Sequence, residues 1–192
     1  MTSTASEAPA LSGLWLAPVL RALPAVAAGL AITFTADHSP AIGLIMLSVF
    51  GLGSATILLG TVLRLPRTQA LGGLHRTLAV IAAVVGALAV VVLLTGAAGL
   101  PLFLLLVGGY AVLAGALELV WGLRHRGRDA FARDAIVIGT GTLALALVLA
   151  FVGDAVSAVG FFGAYAVIIG VYLVIAGFSL KWSAPVPESP AP

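Results

Sequence analysis

The stretch GGYAVLAGALELVWGLRHRGR, residues 108 to 128, combines the features that decide how this chain folds. It is apolar over most of its length, it repeats glycine at every seventh residue, and it holds one glutamate ahead of a cluster of basic side chains. Apolar runs of eighteen or more residues are typical of transmembrane helices. The stretch therefore predicts a membrane span that leads into a basic loop.

The composition of the whole chain indicates a polytopic membrane protein. Of its 192 residues, 61% are hydrophobic and 8% are charged, whereas about a quarter of the residues in a soluble domain carry charge. The absence of cysteine excludes disulfides, thiolate catalysis and cysteine-ligated metals. The N-terminal sequence MTSTASEAPA has no basic residue, so we expect the first apolar run to be a retained span and not a signal peptide.

We predict an all-α fold with six transmembrane helices in one domain, residues 14–182. Prolines 40 and 101 suit the first turns of the second and fourth helices, and Asp154 suits the N-cap of the sixth. The flanking residues, 1–13 and the proline-rich 183–192, are predicted to be disordered. The predicted spans are Leu14–Ala36, Pro40–Leu63, Thr77–Thr95, Leu100–Leu123, Ala135–Val152 and Ala155–Leu180.

The basic residues predict how these spans are oriented. All nine lysines and arginines fall on one side of the six-span arrangement, and basic loops favour the cytoplasm. Both termini are therefore predicted to be cytoplasmic, in a bacterial plasma membrane. The tryptophans, Trp15, Trp121 and Trp182, lie at the same helix ends. We expect anionic lipid headgroups, and not nucleic acid, to contact these basic side chains: Arg64, Arg67, Arg124, Arg126, Arg128 and Lys181.

Arg21 lies inside the first predicted span and allows two interpretations. Its side chain could extend back to the headgroup layer, which we favour. Alternatively, LSGLWLAPVL could lie along the interface, with the span beginning near Pro24. The second interpretation leaves about fifteen residues to cross the bilayer, which is short.

The even-numbered spans resemble one another and predict a threefold repeat of a helical hairpin. Aligning the fourth span with the second and sixth, without gaps, gives repeats of about 14–67, 68–128 and 129–182. The repeated glycines allow close backbone approach, which favours association of membrane helices. The predicted packing glycines are Gly53, Gly60, Gly108, Gly115, Gly122, Gly163, Gly170 and Gly177.

The segments GGYAVLAGALELVWGLRHR and GAYAVIIGVYLVIAGFSLK each close a hairpin with a basic end. In this pattern the chain resembles the HdeD family of small six-span bacterial membrane proteins, over roughly residues 15 to 182. The resemblance implies a role in acid resistance or another envelope stress. It implies no catalytic residue, because the family has no established enzymatic motif.

Glu118 is the carboxylate that the sequence places inside a span, about 9 Å of helix from the basic end. A charge at that depth is costly unless it is paired or neutralised. The expected partners open the odd-numbered spans at the same side: Arg21, Arg76 or Arg133. One hypothesis is a structural ion pair between helices, and the other is a carboxylate that responds to protons.

Other motifs predict no catalytic or metal site. GTGTLA at residues 139–144 fits a dinucleotide fingerprint, but it lies within a span and lacks the preceding strand that the motif needs. The histidines, His38, His75 and His125, have no metal-ligand spacing on one helix face. His38, with the nearby aspartates, could sense external pH, although an ordinary polar turn is the simpler interpretation. Tyr110 and Tyr165 occupy equivalent repeat positions, and we expect each to bond a local carbonyl.

The function predicted from sequence is therefore that of a non-enzymatic membrane protein of the HdeD type, without a cofactor. A small transporter or channel along the repeat axis is the first alternative. An accessory subunit of a larger membrane complex is the second, and a homo-oligomer is compatible with each of them.

Overall fold

The computed structural model describes residues 15–65 and 70–182, and this part of the chain folds into six α-helices. All six are long and apolar enough to cross a membrane, which confirms the predicted six-span helical fold. The predicted tails and Arg67 lie outside the described residues. The helices are α1 (Leu16–Phe34), α2 (Pro40–Val62), α3 (Ala70–Leu94), α4 (Leu100–Arg124), α5 (Ala132–Leu149) and α6 (Ala155–Trp182).

Local chemistry explains several of the helix ends. A proline occupies the first turn of both α2 and α4, as predicted, because proline has no N–H that would be left without a partner. The Asp154 carboxylate accepts a hydrogen bond from the Ser157 N–H at 2.8 Å, which confirms the predicted cap of α6. Ser39 caps α2 by accepting from the Ile42 N–H.

Helix α3 begins seven residues before the start predicted from sequence, at Ala70 and not at Thr77. The predicted boundary was wrong because His75 and Arg76 were assigned to a polar loop. Leu71 and Leu74 in this added segment are buried, whereas Arg76 is exposed. The first turns of α3 are therefore amphipathic and pack on the bundle.

Helix α1 runs without interruption from Leu16 through Pro24. The interpretation in which the span begins near Pro24 is therefore wrong. Arg21 lies in the second turn of α1, and its neighbours Ala22 and Ala25 are buried. The position of Arg21 on this inward face determines what its side chain can reach.

The six helices form a closed ring of neighbours, with α2, α4 and α6 meeting at the centre. The odd-numbered helices lie outside this trio. The closest pairs are α2 with α3, α4 with α5, and α6 with α1, while the hairpins α1–α2, α3–α4 and α5–α6 pack less closely. Two of these pairs are connected by the basic loops, and the third is formed by the first and last helices.

Glycines in the even-numbered helices allow this close pairing. A methyl group added to Gly115 would lie 3.0 Å from both the Gly139 oxygen and the Leu143 nitrogen of α5. Gly170 meets the Ala22 oxygen and Val26 nitrogen of α1 in the same way, at 3.5 and 3.1 Å. Backbones this close leave no room for a side chain.

The equivalent position in α2 is Gly51, and not the predicted Gly53. A methyl group at Gly51 would meet the Ala82 oxygen and the Gly86 nitrogen of α3, again a carbonyl and an amide four residues apart. Gly53 instead faces Pro24 of α1. The sequence alignment placed α2 two residues out of register because it matched glycines without regard to the face they occupy.

The other predicted glycines divide into two groups. Gly122, Gly163 and Gly177 would each place an added methyl within 3 Å of a neighbouring helix. Gly60 and Gly108 have nothing within 4 Å of that position, so the prediction that these two glycines pack against a neighbouring helix was wrong. The heptad spacing continues through them, but they face away from the closest neighbour.

Aromatic side chains fill the centre of the bundle away from its basic end. Phe50 contacts Phe162, Tyr110 and Tyr165 edge to face, with ring centroids 5.4 to 6.5 Å apart. Phe103 contacts Phe162 in the same geometry at 6.1 Å. Because Phe103 and Phe162 are fully buried, these rings close the axis between the even-numbered helices.

Candidate functional site: a polar cavity at the basic end

An ion pair connects α1 and α4 through the interior of the bundle. The Arg21 Nη2 atom lies 2.8 Å from the Glu118 Oε1 atom, and the two side chains are 13% and 3% exposed. The two helices are not neighbours in the ring. The prediction that Arg21 extends to the headgroup layer is therefore wrong, because its guanidinium is turned inward to the carboxylate.

The other two predicted partners of Glu118 are located elsewhere. Arg76 and Arg133 are both exposed, and within residues 15–65 and 70–182 the ion pair of Glu118 is with Arg21 alone. Of the three arginines predicted as partners of Glu118, Arg21 is therefore the one that forms the ion pair. Arg76 and Arg133 belong with the exposed basic side chains at this end of the molecule.

The ion pair lines a cavity of about 50 Å³ to which all six helices contribute. Its walls are mainly apolar, and its polar side chains come from five of the helices or their ends. Because these residues lie within a few turns of the basic helix ends, the cavity is at that end of the bundle. The polar and aromatic lining consists of Arg21, Thr61, His75, Glu118, Trp121, Phe131 and Asp134.

Two residues that line this cavity each have a buried side-chain nitrogen without a hydrogen-bond partner. The two nitrogens are the Nδ1 atom of His75 and the Nε1 atom of Trp121. Indole nitrogen is a donor only, while an imidazole Nδ1 can donate or accept according to its tautomer. An unpaired buried polar atom costs about 1–3 kcal/mol. The protein side chains around these two atoms leave them without a hydrogen-bond partner.

Neighbouring contacts hold the walls of the cavity in place. Asp134 of α5 accepts a hydrogen bond from the Tyr172 hydroxyl of α6 at 2.8 Å. At the end of α4, His125 stacks on Trp121 with ring centroids 4.4 Å apart, and its Nδ1 atom donates to the Trp121 carbonyl at 2.8 Å. The Trp121 ring is thus held in place at the end of α4.

The sequence predicted that Tyr110 and Tyr165 each bond a local carbonyl, and this prediction was wrong. The Tyr165 hydroxyl is 2.9 Å from the Thr142 hydroxyl of α5. Tyr110 lies beside both Arg21 and Tyr165. A polar path therefore leads from the ion pair into the aromatic centre, although each of its members is buried.

The basic side chains predicted to contact lipid are exposed around the same end. Arg64, Arg124, Arg126, Arg128 and Lys181 are all exposed, and lipid contact stays a prediction. The Lys181 ammonium lies 4.6 Å from the centre of the Trp15 ring. This contact joins the beginning of α1 to the end of α6 and so closes the ring of helices.

At the opposite end, the titratable side chains form ordinary turns. Asp37 accepts from the Ser39 N–H at 2.8 Å, and Asp154 caps α6. The Ser157 N–H holds the pKa of Asp154 below its usual range. His38 lies near the Ala36 carbonyl at 3.4 Å. These contacts favour the simpler interpretation of polar turns.

Sequence reasoning missed part of the site. His75 and Asp134 were assigned to loops, and Trp121 was read as an interface anchor. One signal in the sequence is common to the three residues. Each lies within two turns of a helix end, and the turn next to it carries buried residues. In the described ranges, no three His, Asp or Glu side chains gather as metal ligands.

The repeat does not reproduce the ion pair in all three units. In the register given by Gly51, Gly115 and Gly170, the residues equivalent to Glu118 are Ser54 and Leu173. The sequence alignment had placed Thr56 there. Ser54 is buried and its hydroxyl has no partner. Among the three equivalent positions, only the one in α4 therefore carries a charged side chain.

The GTGTLA motif is part of a helix contact. Gly139 lies within α5, and a methyl group added there would be 2.5 Å from the Leu119 nitrogen of α4.

Comparisons of the chain with known protein families, with curated proteins and with solved structures give no match.

Proposed function

We propose that this chain is a non-enzymatic protein of the bacterial plasma membrane that supports the cell under acid or other envelope stress, as the HdeD resemblance implies. The observation that supports it best is the Arg21–Glu118 pair in the cavity at the basic end. Two opposite charges at this depth stabilise each other, whereas either one alone is costly in a membrane.

The location of the ion pair makes it suited to respond to protons. It links α1 to α4, which have no other close packing between them. Protonation of the Glu118 carboxylate removes the attraction and leaves the Arg21 charge uncompensated. Acid on the side of the cavity would therefore weaken a connection across the bundle and change how α1 sits against the central helices.

A small transporter is the second candidate, favoured by a cavity that all six helices line. Against it, the rings of Phe50, Phe103 and Phe162 fill the axis beyond the ion pair. Flux of protons or small solutes into liposomes that contain the purified protein separates the two functions. Uptake above that of empty liposomes would favour transport, and uptake equal to it would favour the non-transporting function.

The proposed function is tested with Glu118→Gln, which keeps shape and hydrogen bonding but cannot titrate. We expect the variant to fold, with a smaller loss of stability than Glu118→Leu, and to lose survival of acid exposure in cells that depend on the protein. Asp37→Asn, an exposed carboxylate change at the opposite end, is the control and should preserve survival. Full survival with Glu118→Gln would leave the ion pair as a structural element and contradict the proton response.

The proposed orientation places the cavity on the cytoplasmic side. Single cysteines at residues 39 and 127 can be introduced because the chain has none of its own. An impermeant thiol reagent should label the cysteine at residue 39 in intact cells, and the one at residue 127 only after lysis. Labelling of residue 127 in intact cells would place the cavity outside.

The accessory-subunit alternative is tested by purification in mild detergent. Co-purification of a defined set of membrane proteins in fixed ratio would support that role. Recovery of this chain alone, as monomer or homo-oligomer, would contradict it.

A further inference from the structure

The cavity at the basic end has a charge that its own residues do not balance. The charged side chains in its lining are Arg21, Glu118 and Asp134. Arg21 and Glu118 neutralise each other, because they form an ion pair. Among the residues that the structure describes, Asp134 has no basic side chain within ion-pair distance. One positive and two negative side chains leave the lining of the cavity with a net negative charge.

Neither His75 nor the end of α5 cancels this charge. The Nδ1 atom of His75 is buried and lies near the Arg21 charge, and both conditions favour a neutral imidazole. Asp134 lies in the first turn of α5, where the helix dipole supplies only about half of a positive charge. Arg133 is exposed, so water and salt screen its charge. The lining of the cavity therefore remains negative.

The rest of the cavity wall is mainly apolar, and two of its side chains, Trp121 and Phe131, are large aromatic rings. His125 stacks on one face of the Trp121 ring, so this ring lines the cavity with the remainder of its surface. Aromatic rings attract cations that lie within about 6 Å of the ring centre. A metal cation such as Ca²⁺ needs about six or more oxygen ligands, and this wall offers few. An organic cation suits the lining better than a metal ion does.

The volume of the cavity limits the size of that cation. One water molecule needs about 10–15 Å³ in a cavity. The cavity of about 50 Å³ therefore accommodates a compact ligand of about three to five non-hydrogen atoms. Tetramethylammonium and short alkylammonium ions are of this size, whereas long polyamines exceed it.

We infer that the cavity binds a small organic ammonium ion, with Asp134 as its counter-ion and the rings of Trp121 and Phe131 as its aromatic walls. In the described part of the chain, the hydrogen bond to the Asp134 carboxylate runs from the Tyr172 hydroxyl to Oδ1, which leaves Oδ2 for the ligand. The Arg21–Glu118 pair adds no net charge to the site. Binding is independent of the proposed function, because it requires no change in the protonation of Glu118.

The inference is tested by isothermal titration calorimetry of the purified full chain with tetramethylammonium chloride at neutral pH. A maltoside detergent is used, because its uncharged headgroup does not compete for the site. tert-Butanol is the matched neutral probe, with the same number of non-hydrogen atoms and a similar shape. We expect saturable binding of tetramethylammonium and about tenfold weaker binding of tert-butanol. Equal binding of the two probes, or no binding of tetramethylammonium, would overturn the inference.

Asp134→Asn tests the counter-ion, because asparagine keeps the shape of the side chain and can still accept from Tyr172. It should weaken tetramethylammonium binding about tenfold and leave tert-butanol binding unchanged. The control is Asp129→Asn, the same loss of charge at a residue that does not line the cavity and whose hydrogen bond from the Phe131 N–H asparagine can keep. Equal weakening by both variants would show a general effect of surface charge and contradict the role of Asp134.

Ala135→Leu tests the location of the bound cation, because it fills the cavity from α5 and should abolish binding. Ala144→Leu is the same change on the same helix at an exposed position and should bind as the wild type does. Thermal unfolding in the same detergent shows whether both variants fold. Wild-type affinity in a folded Ala135→Leu protein would place the cation elsewhere and overturn the inference. If Ala135→Leu does not fold, the comparison of Asp134→Asn with Asp129→Asn decides.

Discussion

At the level of Phe103 and Phe162 the bundle is filled by side chains, whereas at the level of Glu118 the same six helices line a cavity that contains an ion pair. In the first region, aromatic rings from α2, α4 and α6 meet edge to face on the axis. In the second, an arginine and a glutamate form an ion pair, and a histidine and a tryptophan line the same cavity. The helices around the two regions are the same.

Lipid provides no driving force for the burial of apolar side chains, so each region must be held together by another interaction. The two regions differ in which interaction that is. Packing holds the filled region together, since shape complementarity and small residues are what bring membrane helices into contact. Charge holds the region around the cavity, because an unpaired charge there is costly. Substitutions in the two regions should therefore destabilise the protein for different physical reasons. The following changes test that difference.

Glu118→Leu should have the largest effect. It leaves the Arg21 guanidinium without a partner in a site where the Glu118 side chain is 3% exposed, and removing one member of a buried pair costs about 3–5 kcal/mol. Thermal unfolding in detergent measures the loss. Glu118→Gln is the control, since it keeps a hydrogen-bond acceptor for the arginine and should lose much less. Equal losses would mean that shape, and not charge, matters at this position.

Gly115→Leu should destabilise the protein by about 1–3 kcal/mol, as overpacking does in tightly packed cores. Its side chain would be driven into the α5 backbone at Gly139 and Leu143. Gly108→Leu is the matched control on the same helix, where an added methyl meets nothing within 4 Å. If both variants unfold at the same temperature, close approach of α4 and α5 does not contribute to stability.

Phe162→Leu tests the filled region and should cost about 1–2 kcal/mol, because two edge-to-face pairs are lost, with Phe50 and Phe103. Phe161→Leu is the same change at the next residue, where the ring is 46% exposed, and should be close to neutral. Both are compared by unfolding in the same detergent. A larger loss for Phe161 would reverse the assignment of inner and outer faces of α6.

Asp154→Ala should have the smallest effect, because it removes an exposed cap. The hydrogen bond from Ser157 holds the pKa of Asp154 below its usual value. The cap therefore contributes at pH values above the normal aspartate pKa of about 3.9 and is lost as pH falls through the lower folded-state value. The difference between wild type and variant should shrink below about pH 4. Asp154→Asn should retain the cap without that pH dependence.

The sequence was sufficient to predict the helices because membrane spans depend on length and hydropathy. Most of the helix ends could be predicted from the prolines, from the cap at Asp154 and from the basic loops. The start of α3 was misplaced because charge was taken as a sign of a loop. Residues such as Arg76 can lie on the exposed side of a helix whose other side, at Leu71 and Leu74, is buried.

The site was predicted in outline and completed only by the fold. Glu118 and its three possible arginines could be identified from depth alone, but the choice of Arg21 depends on which helices face each other across the interior. The register of α2 failed for a related reason. Gly53 has a glycine seven residues on, at Gly60, and Gly51 does not, so glycine spacing favoured Gly53. Only the neighbouring α3 backbone shows that Gly51 is the equivalent position.

The pairing of α1 with α6 has a consequence for how the protein is made. A ribosome delivers α1 to the membrane before α6, so α1 must wait for its closest partner until the four helices between them and α6 itself have been synthesised. During that interval the Gly170 surface does not yet exist, and Arg21 has no carboxylate until α4 emerges. Newly inserted α1 thus carries an uncompensated charge, and the insertion machinery or lipid headgroups must shield it until the ring closes.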